Sequence, residues 1–266
     1  MLICMAVFDT VENKRTELTR RTLQSLDRQV NWGRHRLIIS DNGSCDETLE
    51  LYENLAEMFP FQVIKNGENL GTARAINRGW SYRKPGEHAV KMDNDVVVND
   101  MGWADDLEEV LLRDPTIGIC GLKRKDLEER PDHPSPHYQS TLRMLPHQPG
   151  ERWFVVEEVN HVLGTCQAYS SAILDKIGYL YQGDWKYGFD DALASLRAHV
   201  VEFKTVFLPN IDIDHIDPGG TAYTQEKQDQ AGQVMQKYGE IVLAYRLGKK
   251  SAYYDGGEDS KWAGSH

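Results

Sequence analysis

His88-Ala89-Val90-Lys91-Met92-Asp93-Asn94-Asp95-Val96 is the stretch on which the fold is read. His88 to Met92 is a short apolar strand, and it runs straight into two carboxylates at i and i+2. Three comparable strands precede it: Leu2 to Phe8, Arg36 to Ser40 and Phe61 to Lys65. Between them lie helical stripes, carried by Leu18, Thr22, Leu23 and Leu26, then Leu51, Leu55 and Met58, then Ala73, Ile76 and Trp80. Ser44 and Glu47 have the S-x-x-E spacing of a capping box, so Ser44 is expected to cap the second helix. This alternation predicts an α/β fold with a doubly wound, mostly parallel central sheet and right-handed crossovers. Ligands of such sheets bind beyond the carboxyl ends of the strands. The chemistry is therefore sought at Asp9-Thr10, Asp41 to Ser44, Asn66 to Thr72 and Asp93 to Asp95.

Beyond Val96 the pattern continues less regularly. Trp103, Leu107, Val110 and Leu111 mark another helix, and Thr116 to Leu122 another strand. Glu128 to Arg152 holds five of the ten prolines and reads as a long irregular loop. Strands are expected near Phe154 to Val159, Val162 to Tyr169, Val201 to Phe207 and Ile211 to Asp214. A short helix carries Ile173, Leu174 and Ile177. A C-terminal helix carries the stripe Ala231, Met235, Tyr238, Val242 and Tyr245, and a mobile tail is expected from about Ser251.

Composition bounds the function. The 266 residues include 30 Lys and Arg against 41 Asp and Glu, a net charge of −11, which lacks the broad basic surface of a typical nucleic-acid binder. Lys123-Arg124-Lys125 is a small basic cluster, most simply a solvated loop. No run reaches the roughly 18 apolar residues that span a bilayer. No basic segment precedes the apolar start, as a secretory signal would require, and the expected location is cytoplasmic. Cys4, Cys45, Cys120 and Cys166 are widely spaced and read as reduced structural thiols.

Asp93 and Asp95, on one side of an extended chain, make a hard oxygen site for Mg²⁺ or Mn²⁺ carrying a diphosphate. The plain alternative is a solvated turn. Asp41 could accept a hydrogen bond from a nucleobase or ribose, or simply organise its turn. Gly71 and the N–H groups of the following helix suit a phosphate, with Arg74 one turn on; tight packing at Gly71 is the alternative. This stretch is neither G-x-G-x-x-G nor a P-loop, which argues against a dehydrogenase or a P-loop NTPase. Asp190 and Asp191 are a carboxylate pair that could divide base and holding roles, or simply favour a helix start. His215 could be a further metal ligand or a structural histidine.

In this order the pieces resemble a family 2 glycosyltransferase of the GT-A fold. They are Asp41-Asn42-Gly43-Ser44-Cys45-Asp46-Glu47-Thr48, then Asn69-Leu70-Gly71 through Gly79, then Asp93-Asn94-Asp95. Val162 to Cys166, Gly188-Phe189-Asp190-Asp191 through Arg197, and Pro209 through His215 follow. The resemblance spans about residues 2 to 216. It implies a domain over 1–216, with a nucleotide-binding half at about 1–122, the proline-rich loop at 128–152 and an acceptor half with a small sheet at 153–216. A helical segment, 217–250, and the tail, 251–266, complete the chain.

The resemblance further implies inverting, metal-dependent transfer from a nucleotide-diphosphate sugar, a UDP-sugar by preference, to an acceptor hydroxyl. Asp95, His215 and Asp93 would hold Mn²⁺ or Mg²⁺. Thr10, Asp41, Asn69, Arg74, Asp93 and Asn94 would bind the donor. Gly164, Trp185 and Asp190 would face the acceptor, and Asp191 would be the base. Two departures stand out: Leu193 replaces a further Asp common in the family, and the first strand ends Phe8-Asp9-Thr10 rather than in Pro-Thr-x-Asn. Three rivals remain. A sugar-phosphate nucleotidyltransferase would need a glycine- and arginine-rich loop that Phe8 to Asn13 lacks. A non-catalytic binding module would be expected to lose Asp95 or Asp191. A transferase acting on modified DNA is opposed by the net charge.

Overall fold

The computed structural model describes residues 1–125, 140–181, 183–219 and 222–254. Strands β1 (Leu2–Val7), β2 (Arg36–Asp41), β3 (Phe61–Lys65) and β4 (Ala89–Met92) form a wholly parallel block in the order β3-β2-β1-β4. Helices α1 (Thr16–Gln29), α2 (Asp46–Ala56) and α3 (Thr72–Trp80) connect them. Strand β1 is apolar throughout because both its faces are covered. Ile3, Met5 and Val7 enter one core with Leu23, Leu26 and Leu51, while Leu2 and Cys4 enter the other with Ile76 and Trp80. Helix α3 approaches so closely that a Cβ on Gly79 would lie 2.1 Å from the Cys4 sulfur. Any larger residue there forces the helix off the sheet.

The second half extends the same sheet. Its elements are β5 (Val96–Val98), α4 (Trp103–Arg113), β6 (Ile117–Arg124), β7 (Thr141–Met144), β8 (Val155–Val159), β9 (Cys166–Tyr169), α5 (Ser171–Ile177), α6 (Asp190–Val200), β10 (Lys204–His215) and α7 (Ala222–Arg246). The order continues from β4 as β9-β6-β10-β8-β7, with β5 on the far part of β10. Strand β9 is antiparallel to both neighbours, whereas β6 and β10 run parallel. Strands β7 and β8 thus join the central sheet through β10.

Several local expectations change. The two strands expected around Pro209 are one long β10, whose register shifts between Phe207 and Asp212. The strand expected from Val162 begins only at Cys166, because the preceding residues turn towards α6. Helix α2 starts at Asp46 with Cys45 as its cap residue; the Ser44 hydroxyl instead accepts the Asp9 N–H. The helix ends before Met58, which is exposed. Of the proline-rich loop, residues 128–139 lie outside the described residues, and Thr141–Met144 is a strand rather than irregular chain. On α7 the packed stripe is Val234, Tyr238, Ile241, Val242 and Tyr245, while Met235 faces out. Of the stretch expected as a tail, the residues up to Tyr254 are held in place, since Ala252 is buried and the Tyr254 N–H bonds to the Lys176 carbonyl; residues 255–266 lie outside the described residues. Among the described residues no helix is long and apolar enough to cross a membrane.

Candidate active site

The carboxyl ends of β1 and β4, the start of α6 and the start of α7 enclose a cleft of about 870 Å³. Asp93, Asn94 and Asp95 form the turn between β4 and β5. Because the chain turns here, the i, i+2 carboxylates do not share a side as they would in a strand. Asp95 is 3% exposed, while the Asp93 side chain is 36% exposed and turned to Lys91, 3.3 Å away. The antiparallel pairing of β5 with β10 sets His215 opposite Val96 and so beside Asp95. The His215 Nε2 lies 3.5 Å from Asp95 Oδ2, an oxygen that also accepts from Arg15. Arg15 spans to Asp217, at 2.5 Å. Burial opposes ionisation of Asp95, but His215 and Arg15 outweigh it and hold the carboxyl well below the usual range. Its other oxygen, Oδ1, is buried and among the described residues has no hydrogen-bond partner.

The second cluster surrounds Lys91, a buried cation inside an apolar strand. Its ammonium donates to the Gly164 carbonyl at 2.6 Å and lies 3.4 Å from Asp190 Oδ2. Burial works against the Lys91 charge, but Asp190, Asp93 and Asp191 keep its pKa well above the ordinary lysine value. Asp190 and Asp191 open α6 directly after Phe189, whose φ of 67° is left-handed, a conformation costly for an aromatic residue. Stacking on Tyr238 at 4.2 Å holds that ring in place. Asp191 Oδ2 accepts the Gly164 N–H at 2.9 Å and lies 3.4 Å from His161; Oδ1 accepts the Ala192 N–H at 2.7 Å. Burial disfavours its charge, yet His161, Lys91 and the Gly164 N–H hold the Asp191 carboxyl below the usual range. Asp190 goes the other way: burial, with Asp191 and Asp93 nearby, raises it against the pull of Lys91.

The cleft gathers Asn69, Asp93, Asn94, Asp95, Gly164, Asp190, Asp191 and His215 from the expected set. Asn94 turns its amide inward, to Asp9 and Thr19. Four expected residues do not line it. Thr10 exchanges hydrogen bonds with Asn13. Asp41 is 2% exposed and fully committed, one oxygen to the Gly43 and Ser44 N–H groups and the other to the Tyr52 hydroxyl. Arg74 reaches out to the Gly183 carbonyl, and Trp185 is buried with its indole N–H on the Gly188 carbonyl. At the phosphate seat expected at α3, Gly71 and Thr72 line the cleft, but the Thr72 N–H is already bonded to the Lys186 carbonyl. A Cβ on Gly71 would lie 2.6 Å from that carbonyl oxygen, so the glycine serves close packing. Asp93, Asp95 and His215 do not bring three ligand atoms within 4.8 Å of one another. Among the described residues His35, Asp105 and Glu108 do, but Arg34 and the N-terminal ammonium already neutralise those carboxylates.

Sequence reasoning missed Arg15, Lys91, Asp217, His161, Tyr187, Tyr223 and Lys227. Lys91 carried a local signal, a charge within a buried strand. The basic cluster is no free loop: Lys123 and Lys125 pair with Glu157 and Asp214 at the end of β6.

A parallel block with a carboxylate-lined cleft at its carboxyl end is the architecture of the GT-A glycosyltransferases. The model of glycosyl transferase family 2 matches residues 10–178, and the chain belongs to that family and is a glycosyltransferase. A mannosyltransferase from Pyrobaculum calidifontis, solved with GDP-Man and Mn²⁺, is similar at TM-score 0.63 and 15% identity over 92% of this chain and 68% of that one. S. aureus TarS, residues 1–349 with UDP, is similar at TM-score 0.57 and 17% identity, over 80% of this chain and 60% of that one. GalNAc-T7 with UDP, GalNAc and Mn²⁺ is similar at TM-score 0.60 and 16% identity, over 98% and 54%. At these identities the likeness speaks to the fold. No curated protein matches the chain.

Proposed function

We propose that the protein transfers a sugar from a nucleotide-diphosphate sugar, a UDP-sugar by preference, to an acceptor hydroxyl with inversion. The observation that carries this is convergence: Asp95 and His215 share one cleft with Asp190 and Asp191, over 90 residues from Asp95 along the chain. Asp95 and His215 would hold Mn²⁺ or Mg²⁺, with Asp93 nearby; the unpartnered buried Oδ1 of Asp95 fits such a ligand. The cation, when bound, neutralises charge on the departing diphosphate.

In the proposed displacement the acceptor oxygen forms its bond to the anomeric carbon as the bond to the β-phosphate oxygen breaks. The electron pair leaves with the nucleoside diphosphate, and the acceptor proton goes to Asp191. Asp191 is the more exposed of the pair and stays ionised; Asp190, tied to Lys91, lies beside it to hold the acceptor. Inversion follows from a single in-line step with the base across from the leaving group. Two measurements test the reading: a donor screen scored by released nucleotide, and calorimetry of UDP with Mn²⁺ or with chelator. UDP should bind measurably only with the metal. Equal affinity in chelator would remove the metal from the reading.

A further inference from the structure

Two cations at this cleft are already bound to acids. Arg15 is held by Asp95 and Asp217, and Lys91 by Asp93, Asp190 and the Gly164 carbonyl. Lys227, on the second turn of α7, is different. Its ammonium sits 4.8 Å from the Tyr187 ring centre and 4.6 Å from that of Tyr223. Among the described residues no carboxylate lies within ion-pair distance of it, yet the side chain lines the cleft and feels Asp93, Asp95 and Asp217. Two aromatic faces hold an ammonium by cation–π attraction in place of water. Both phenols stay neutral: burial pushes Tyr187 above the usual tyrosine range and Tyr223 to about 12. The rings therefore orient the charge without neutralising it. Burial and Arg15 also push the Lys227 pKa down against the nearby acids, so an anion entering here would stabilise its charge.

We infer that Lys227 is the diphosphate-binding residue of this cleft, a cation delivered by α7, caged by Tyr187 and Tyr223, and left open for the oxygens of the donor. The inference rests on the donor reading above and names the residue that answers the diphosphate's charge beside Asp95 and His215. It predicts that the part of the affinity owed to Lys227 depends on the phosphates and not on the base. A lysine acting as a point charge also tolerates arginine in part.

The test is calorimetry of the full chain with UDP, GDP, UMP, uridine and inorganic pyrophosphate, with Mn²⁺ and with chelator. Lys227→Met keeps the apolar stem and removes the charge. It should weaken the bound nucleoside diphosphate and pyrophosphate by roughly 10- to 100-fold, the loss of one hydrogen bond to a charged group. UMP should lose less and uridine nothing, and Lys227→Arg should recover part of the loss. Equal weakening of uridine and UDP would make Lys227 a structural prop of the cleft and overturn the inference. So would unchanged UDP affinity. If the wild-type chain binds pyrophosphate through Lys227 but no nucleoside diphosphate, the donor reading falls and the anion site stands. If it binds neither, both fall.

Discussion

The cleft holds two carboxylate clusters of similar composition and opposite balance. At the turn after β4, Asp95 touches the Arg15 guanidinium directly and has His215 beside it, so a nearly inaccessible carboxyl stays ionised. At the start of α6 one ammonium, Lys91, serves Asp93, Asp190 and Asp191, and its shortest bond goes to a carbonyl instead. Asp190 is consequently raised while Asp191, braced by Gly164 and His161, is lowered. Both clusters are desolvated, so burial alone does not separate them. What separates them is whether the cation makes its closest contact with the carboxylate or with something else. The first arrangement suits holding a charge permanently. The second leaves one carboxyl poised and its neighbour committed, a division suited to proton transfer.

The largest effect should come from breaking that division. Asp191→Asn keeps the shape and removes the basicity, and single-turnover transfer should fall roughly 10²- to 10⁴-fold with donor affinity almost unchanged. Asp190→Asn should weaken acceptor binding more than the chemical step. If Asp190→Asn abolishes transfer and Asp191→Asn does not, the assignments of base and holder are exchanged.

Removing the cations sharpens the contrast. Arg15→Met leaves Asp95 and Asp217 buried without their shared partner and should cost about 3–5 kcal/mol in urea unfolding. Lys91→Met should act on the other cluster through protonation. Lys91 lowers the pKa of both Asp190 and Asp191, so its loss raises both, and the acid limb of the transfer profile should move to higher pH. A limb that stays put would show that neither carboxyl is required in its ionised form.

Asp41 belongs to neither cluster, and its prediction is one of stability. Three donors converge on it, so Asp41→Ala should cost about 2–4 kcal/mol while the surviving folded protein keeps its UDP affinity. A selective loss of UDP affinity would return Asp41 to the donor site.

The contrast between the clusters also explains what the sequence could and could not reveal. The parallel block was legible because β1, β2 and β4 are buried on both faces and each helix carries a 3.6-residue stripe, patterns that need no knowledge of distant contacts. Asp93, Asp95, Asp190, Asp191 and His215 were legible as residues after strands or at a helix start. Arg15 was not, because nothing in Asn13-Lys14-Arg15 distinguishes the buried cation from its neighbour; only the return of Asp217 at the end of β10 does. Lys227 stands on the face of the α7 stripe, four residues before Ala231 and seven before Val234, but as a charge ahead of the apolar run it does not stand out from the stripe pattern. Asp41 and Gly71 have the right chemistry for ligands, but their partners come from Tyr52 and from the Lys186 backbone, contacts that local spacing does not encode. Strand β5 escaped notice because three valines continue the apolar run, and it is this strand that sets His215 beside Asp95.

The smallest predicted effect lies beneath the first cluster. Asp9 is fully buried, accepting from Thr19 at 2.5 Å and from Asn94 at 2.9 Å, and so ties α1 to the turn that carries Asp95. Burial lifts its pKa to about 6, against the opposing pull of Thr19, Arg15 and Asn94. An acid with a raised folded pKa binds its proton more tightly in the native state. Between about pH 4 and 6 the unfolded chain has released that proton and the native chain still holds it, so stability falls as pH rises through this window and is level above it. The contribution is about 1–3 kcal/mol. Urea unfolding of the wild type and Asp9→Asn at pH 4, 5 and 6.5 isolates it, because the amide fills the same space without titrating. The wild type should lose stability relative to the variant across the series. A difference that is flat, or that grows with pH in favour of the wild type, would mean that Asp9 is ionised in the native state throughout, with Arg15 balancing both it and Asp95.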